Sequence, residues 1–188
     1  MARAKYAGDG LPPVEKWNPP FCGDIDMRIA SDGLWYYLGT PIGRESLVRL
    51  FSTVLRKDED GKTYLVTPVE KVGITVDDAP FVAVEMNAHI ENGDQILTLR
   101  TNVGDIITVG ADNPLRFEDE DRTDGVKPYV HVRGRLDALL ARPLLYQLVD
   151  LGETREIEGV AMFGVSSSGD FYPIMRQDAL ERAALSDG

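Results

Sequence analysis

The sequence predicts an α+β protein of 188 residues, built from two structurally similar halves. Short runs of alternating apolar residues, separated by turns that contain Gly and Asp, predict a mostly antiparallel sheet. The order strand–helix–strand–strand occurs twice, with helices that begin their apolar stripes at Leu47 and Leu144. The next strands, at Tyr64 and Ala161, keep the same offset along the chain. This order predicts an internal duplication, and coincidence is the alternative because small α+β proteins often share it.

Residues 1–23 are predicted to form an extended, Pro-rich N-terminal arm. The prolines between Leu11 and Gly23 remove backbone donors and fix φ, which disfavours a helix or a central strand. The runs Asp24–Ile29 and Leu34–Gly39 flank an Asp-Gly turn. We therefore expect a β-hairpin at the beginning of the N-terminal half, which spans residues 24–112.

The rest of the N-terminal half is predicted to contain one helix and a β-meander. Apolar residues recur at helical spacing from Arg44 to Lys57, which is typical of an amphipathic helix. The predicted strands that follow are Thr63–Pro68, Gly73–Val76, Phe81–Ile90, Gln95–Arg100 and Asp105–Val109.

Residues 113–126 contain the acidic run Glu118–Asp121 and are predicted to form an exposed connection between the halves. The C-terminal half, residues 127–188, begins with a predicted strand. Its predicted elements are a strand at Tyr129–Arg133, a helix from Leu136 to Leu151 interrupted near Pro143, a hairpin of Gly159–Val165 with Asp170–Met175, and a final helix at Arg176–Leu185.

The composition excludes several classes of partner. Thirty-one acidic residues against 20 basic ones give a net charge of −11, which repels the phosphates of nucleic acids and anionic membranes. A local basic pocket for a small anion is compatible with this charge. The single cysteine, Cys22, cannot form an intramolecular disulfide, so we expect a reducing compartment, the cytoplasm. No signal peptide, membrane-spanning run, metal site or cofactor motif is predicted.

Arginines are the best candidates for ligand recognition, because the guanidinium group binds carboxylates and phosphates with two hydrogen bonds. Arg44 and Arg142 each stand at the beginning of a predicted helix, where the backbone adds positive potential. Such positions suit an anionic ligand, or a salt bridge to Glu70, Asp77 or Asp78. Both interpretations are open at this stage.

The segment from Asp32 to Phe81, which reads DGLWYYLGTPIGRESLVRLFSTVLRKDEDGKTYLVTPVEKVGITVDDAPF, resembles the bacterial family catalogued as domain of unknown function 1285. The resemblance extends over nearly the whole chain after Pro19. It implies a duplicated core whose C-terminal half is similar to pleckstrin-homology folds. It also implies a site between the halves for a nucleotide-like ligand, and a role in signal transduction.

The resemblance implies no catalytic residue. It implies a set of ligand-binding residues at the positions that match the family's polar motifs. These are Arg44, Thr67, Glu70, Lys71, Asp77, Asp78, Thr101, Asn102, Arg133 and Arg142.

Three hypotheses about function follow. The first is a regulatory protein that binds a small anionic ligand in a cleft between the halves. The second is a hydrolase or transferase in which Glu70, Asp77 or Asp78 acts as a general base on a nucleotide-like substrate, which requires at least two converging carboxylates. The third is an adaptor that binds a protein partner through a strand edge or the Pro-rich arm. A flat strand edge would also favour a homodimer.

Overall fold

A computed structural model describes residues 10–120 and 125–186. After a single 3-10 turn at Val14–Lys16, the strands are β1 (Phe21–Ile29), β2 (Trp35–Tyr37), β3 (Thr40–Pro41), β4 (Leu55–Lys57), β5 (Thr63–Val66), β6 (Lys71–Val76), β7 (Phe81–Glu91), β8 (Asp94–Thr101), β9 (Ile106–Thr108), β10 (Leu115–Glu120), β11 (Gly125–Arg133), β12 (Leu136–Leu140), β13 (Glu153–Ile157), β14 (Val160–Ser167) and β15 (Asp170–Arg176). The helices are α1 (Glu45–Ser52), α2 (Arg142–Asp150) and α3 (Gln177–Ser186).

The strands form three sheets. The first sheet has the order β3-β2-β1-β6-β5-β4, the second β10-β11-β12-β7-β8-β9, and the third β13-β14-β15. Of the strand pairs within the described residues, β1 with β6 and β12 with β7 are parallel, and the remainder are antiparallel. The predicted α+β class with mostly antiparallel sheet is confirmed.

One apolar core connects the first two sheets and α2. Ile29 and Trp35 from the first hairpin, Phe81 and Leu99 from the second sheet, and Leu148 from α2 are at most 2% exposed and belong to one cluster. Complete burial of a side chain of this size stabilises the fold by about 1.5–3 kcal/mol. The two sheets are therefore held together by a shared core.

The predicted first hairpin is confirmed, and the arm before it is tied to β4. Nη1 of the buried Arg56 donates hydrogen bonds to the carbonyl oxygens of Val14 and Trp17, each at 2.7 Å. Nε of Arg56 donates to Asp58 Oδ1 at 2.6 Å. The arm contains one helical turn and joins β1 at Phe21. The part of the arm prediction that concerns residues 1–9 lies outside the described residues.

The first helix is shorter than predicted, because residues 55–57 are strand β4 rather than helix. The Ser52 and Thr53 hydroxyls each donate 2.6 Å hydrogen bonds to carbonyls three residues earlier, at the end of α1. Such bonds compete with continuation of the helix. The chain then turns at 58–62, and β4 pairs with β5.

The helix predicted from Leu136 begins only at Arg142, and its first part is β12. Leu136, Ala138 and Leu140 alternate with less buried residues, which is the period of a strand. Pro143 lies in the first turn of α2, where its missing N–H costs nothing. It therefore begins a helix instead of interrupting one.

Within its described residues, the predicted exposed connection at 113–126 is largely sheet. Leu115–Glu120 is the edge strand β10, which pairs with β11, while residues 121–124 are not described. The second sheet thus contains β7–β9 from the predicted N-terminal half together with β10–β12, which differs from the predicted division of the chain. The chain leaves the first sheet after β6 and passes through residues 77–80, where Pro80 lacks the donor that a ladder requires.

A helix followed by a three-stranded antiparallel meander occurs twice. The first unit is α1 with β4-β5-β6, and the second is α2 with β13-β14-β15. The predicted C-terminal hairpin and final helix are confirmed. Among the described helices, none has the length and apolar character needed to cross a membrane.

Candidate functional site

A cleft of about 990 Å³ lies between α1 and one end of the second sheet. Three arginines line it: Arg49 from α1, Arg100 from β8 and Arg133 from β11. Three acids, Glu45, Glu85 and Asp105, line it as well. We call this space the arginine cleft. Its charged lining is balanced, in a protein whose net charge is −11.

Arg133 is held rigidly at the base of the arginine cleft. Its Nη1 donates to Asp105 Oδ2 at 3.0 Å, and its Nη2 donates to the carbonyl oxygen of Ser52 at 2.9 Å. The guanidinium carbon lies 5.0 Å from the centre of the Phe81 ring. A charge fixed by three contacts loses little conformational freedom when a ligand binds.

Arg100 and Arg49 are held less firmly. Arg100 Nε donates a hydrogen bond to Glu85 Oε2 at 2.8 Å across the β7–β8 hairpin, and Arg100 Nη2 lies 2.6 Å from Glu85 Oε1. The hydrogen bond from Arg100 holds the pKa of Glu85 below its ordinary range. Arg49 Nη2 lies 3.9 Å from Glu45 Oε2, and its side chain is 52% exposed. Exposed pairs of this kind contribute at most about 1 kcal/mol. The lining therefore ranges from a fixed arginine to one that is free to reorient.

Of the ten predicted ligand-binding residues, only Arg133 lines the arginine cleft. Thr101 and Asn102 lie beside it, and Asn102 joins the first two sheets. Asn102 Oδ1 accepts from the Val82 N–H at 3.1 Å, and its Nδ2 donates to the Gly33 carbonyl at 3.2 Å. The buried Thr101 hydroxyl accepts from the Asp105 N–H at 3.0 Å and so positions the partner of Arg133.

Asp77 and Asp78 have separate structural partners. Asp77 pairs with Arg28 at 2.5 Å. Asp78 accepts from Lys127 Nζ at 2.9 Å and from the Tyr129 hydroxyl at 2.6 Å. Burial, together with the hydrogen bond to Asp78, raises the pKa of Tyr129 above its ordinary value. The Asp78 contacts link the end of the first sheet to β11, whereas the Asp77 pair stays within the first sheet. Neither aspartate lines the arginine cleft.

Lys71 of β6 belongs to a polar cluster that also contains Arg56 of β4 and the adjoining Asp58. Its Nζ donates to Asp58 Oδ2 at 3.0 Å. Burial raises the pKa of Asp58, but hydrogen bonds from Arg56 and Lys71 outweigh this and hold it below its ordinary value. A hydrogen bond to Asp60 raises the pKa of Tyr64 to about 12. This cluster holds strand β4 and the arm in place.

Arg44 and Arg142 lie at the beginnings of α1 and α2, as predicted, but in the described residues neither forms the salt bridge to Glu70, Asp77 or Asp78 that was one of the two open interpretations. Arg44 is exposed and forms no ion pair with an acid in the described residues, and Arg142 Nε donates to the Tyr146 hydroxyl at 3.1 Å. Asp77 and Asp78 pair with Arg28 and Lys127 instead, and the Glu70 side chain forms no ion pair in the described residues. Thr67 and Glu70 line a different, apolar pocket.

The sequence interpretation missed Arg49 and Arg100. A signal for Arg100 existed, because the Asn92-Gly93 turn pairs Glu91 with Asp94, and this register places Glu85 opposite Arg100. Arg49 gave no such signal, since it follows Glu45 by one helical turn as a surface pair. In the described part of the chain, no three His, Cys, Asp or Glu side chains are grouped to hold a metal ion.

Two family profiles match this chain, and together they cover residues 12–174. The profile of "Domain of unknown function (DUF1285), N-terminal domain" matches residues 12–79, and that of "Protein of unknown function (DUF1285), C-terminal domain" matches residues 80–174. The chain belongs to the DUF1285 family. The resemblance read from the sequence is therefore confirmed, and the DUF1285 N-terminal domain coincides with α1 and the first sheet.

Two solved structures of the DUF1285 family are similar to this chain. A family protein from Silicibacter pomeroyi DSS-3 shares 53% identity with a TM-score of 0.84, over 96% of this chain and 95% of that one. A family protein from Shewanella baltica OS155 shares 26% identity with a TM-score of 0.51, over 64% of this chain and 87% of that one. A comparison with curated proteins gave no match. In the terms of the DUF1285 family, the arginine cleft lies between its N-terminal and C-terminal domains.

Proposed function

We propose that this DUF1285 protein binds a small anionic, nucleotide-like ligand in the arginine cleft and acts as a regulatory protein in signal transduction. The observation that carries the proposal is the presence of three arginines, from both domains, on one cleft. Guanidinium groups bind phosphate and carboxylate through paired hydrogen bonds. A ligand that contacts Arg49 and Arg133 together would bridge the domains, so its binding would be coupled to their relative position.

The electrostatics favour a ligand that brings its own negative charge. Each arginine faces one acid, and the contact of Arg49 with Glu45 is the weakest of the three. A phosphate group would compete with Glu45 for Arg49, at a cost of about 1 kcal/mol or less. Arg133 needs no rearrangement because Asp105 and the Ser52 carbonyl already orient it.

The size and the apolar part of the cleft favour a ligand that is more than a bare phosphate. A volume of about 990 Å³ lies at the upper end of the range of small-molecule sites. Leu50 and Ile106 line the same cleft and are 61% and 43% exposed. Apolar side chains beside arginines suit a flat ring attached to an anionic group, as in a nucleotide.

The repeated helix–meander units support the internal duplication that the sequence predicts. We include this duplication, and the similarity of the C-terminal half to pleckstrin-homology folds, in the proposal. The cytoplasmic location belongs to it too, because the only cysteine is Cys22, which is free and exposed.

The proposal is tested by thermal denaturation with nucleoside phosphates, cyclic dinucleotides and inorganic phosphate. A ligand at 100 Kd adds about 2.7 kcal/mol to the native state, or about 5–10 °C in Tm for a chain of this size. Arg49→Ala and Arg100→Ala should abolish the shift. Arg155→Ala is the matched control, since this arginine pairs with Glu153 at similar exposure in the third sheet. A panel without any shift, or equal shifts in all three variants, would contradict the proposal.

A further inference from the structure

A second pocket of about 660 Å³ lies between α1 and the inner face of the first sheet. On the helix side it is lined by Leu47 and Phe51, and on the sheet side by Ile25 and Val72. We call it the apolar pocket. Its lining is almost entirely aliphatic and aromatic, and it contains none of the three arginines of the arginine cleft.

The two repeated helices differ in how their apolar stripes are buried. In α2, Leu144 and Leu148 are 3% and 0% exposed. In α1, Leu47 and Phe51 are only partly buried, and Leu50 is 61% exposed. Protein cores normally leave few voids, and an apolar cavity tends to exclude water and to bind apolar molecules. The space under α1 is thus apolar volume that none of the described residues fills.

The mouth of the apolar pocket is polar. Tyr37, Thr67 and Glu70 are its polar lining residues. The Thr67 hydroxyl accepts from the Glu70 N–H at 3.2 Å, which fixes the turn that presents the Glu70 side chain. Glu70 is exposed, and no cation in the described residues forms an ion pair with it. A carboxylate at the mouth attracts a cationic group and repels an anionic one.

We propose that the apolar pocket binds a small amphiphile, with an alkyl chain between α1 and the first sheet and an amine beside Glu70. The pocket volume lies within the range of small-molecule sites. This ligand is opposite in charge to the one proposed for the arginine cleft. Each proposal can therefore be refuted without the other, although Leu50 lines both the arginine cleft and the apolar pocket.

The test compares decylamine with decanoate by isothermal titration calorimetry of the full chain, since the two probes differ in head-group charge at similar length. We expect one equivalent of decylamine to bind, and decanoate to bind at least fivefold more weakly. Glu70→Gln should remove this preference. Because Glu70 is exposed, the variant is expected to fold.

The second part of the test fills the apolar pocket with a larger side chain. Val72→Phe adds volume from the sheet side and should weaken decylamine binding at least tenfold, while Ile90→Phe, at a 68% exposed position of β7, should leave it unchanged. Binding that is equal for both probes, or that persists in Val72→Phe, would overturn the proposal. So would a dimer of the unliganded protein that Val72→Phe dissociates, since a second copy would then occupy the pocket. If nucleotides still raise the Tm of Val72→Phe, the loss of decylamine binding in this variant does not come from a change in the arginine cleft.

Discussion

Replacing Asp78 by Ala is expected to destabilise the protein much more than replacing its neighbour Asp77. The Asp78 side chain is 14% exposed and accepts hydrogen bonds from Lys127 and from the buried Tyr129 hydroxyl. Asp77 is 34% exposed, and its partner Arg28 is 44% exposed. The two carboxylates are adjacent in sequence, so each is a control for the other.

The magnitude follows from what each truncation leaves behind. Without Asp78, the Tyr129 hydroxyl loses a charged acceptor in a buried place, which costs about 1.5–3 kcal/mol. Lys127 is 38% exposed and is rehydrated, so it adds little. We expect a total loss of about 2–3 kcal/mol for Asp78→Ala. For Asp77→Ala the loss of an exposed pair is about 0–1 kcal/mol.

Urea denaturation at pH 7 measures both variants. With an m-value of about 2 kcal/mol/M, the midpoint should fall by about 1–1.5 M for Asp78→Ala and by less than about 0.5 M for Asp77→Ala. Asp78→Asn keeps an acceptor for Tyr129 and should lie between them. Equal midpoints for the two alanine variants would refute the argument, since burial and the tyrosine contact would then make no difference.

Two further predictions concern the joint between the sheets and the acid limit of stability. Gly33 has φ +88°, and an added Cβ would lie 2.8 Å from Asn102 Nδ2. Gly39 has a similar φ of +77°, but an added Cβ there would have no atom within 4 Å. Gly33→Ala should therefore lower the urea midpoint clearly more than Gly39→Ala. Similar losses of about 1–2 kcal/mol in both would mean that backbone strain alone acts. The lowered pKa of Asp58 adds stability that is complete above its ordinary value of 3.8 and is lost as pH falls below it. The difference in midpoint between wild type and Asp58→Asn should therefore shrink between pH 6 and pH 3, and a constant difference would contradict this assignment.

Local pattern predicts most strands of this fold but not how they assemble into sheets. The Asn92-Gly93 turn has the positive φ angles of a tight hairpin, and its register extends unbroken to Glu85 and Arg100. The parallel pairing of β12 with β7 joins distant segments, and no turn signal encodes it. The prediction therefore assigned β7–β9 to the first half, although they complete the second sheet.

The candidate site shows the same limit. Arg133 was predicted and lines the arginine cleft, whereas Asp77, Asp78 and Lys71 proved to be bound by other side chains. Their charge and their position at strand ends were correct, but those properties do not distinguish a ligand contact from an ion pair within the fold. Only the three-dimensional partners decide between the two.

The attachment of the N-terminal arm has a consequence for how its sequence can vary among related proteins. Arg56 recognises Val14 and Trp17 only through their carbonyl oxygens, which every amino acid provides. Substitution at either position leaves the guanidinium contacts available, so selection on this anchor acts on residue 56 rather than on the arm. An alignment of relatives should thus show an invariant arginine at position 56 in β4, whereas the residues of the arm that it contacts should vary.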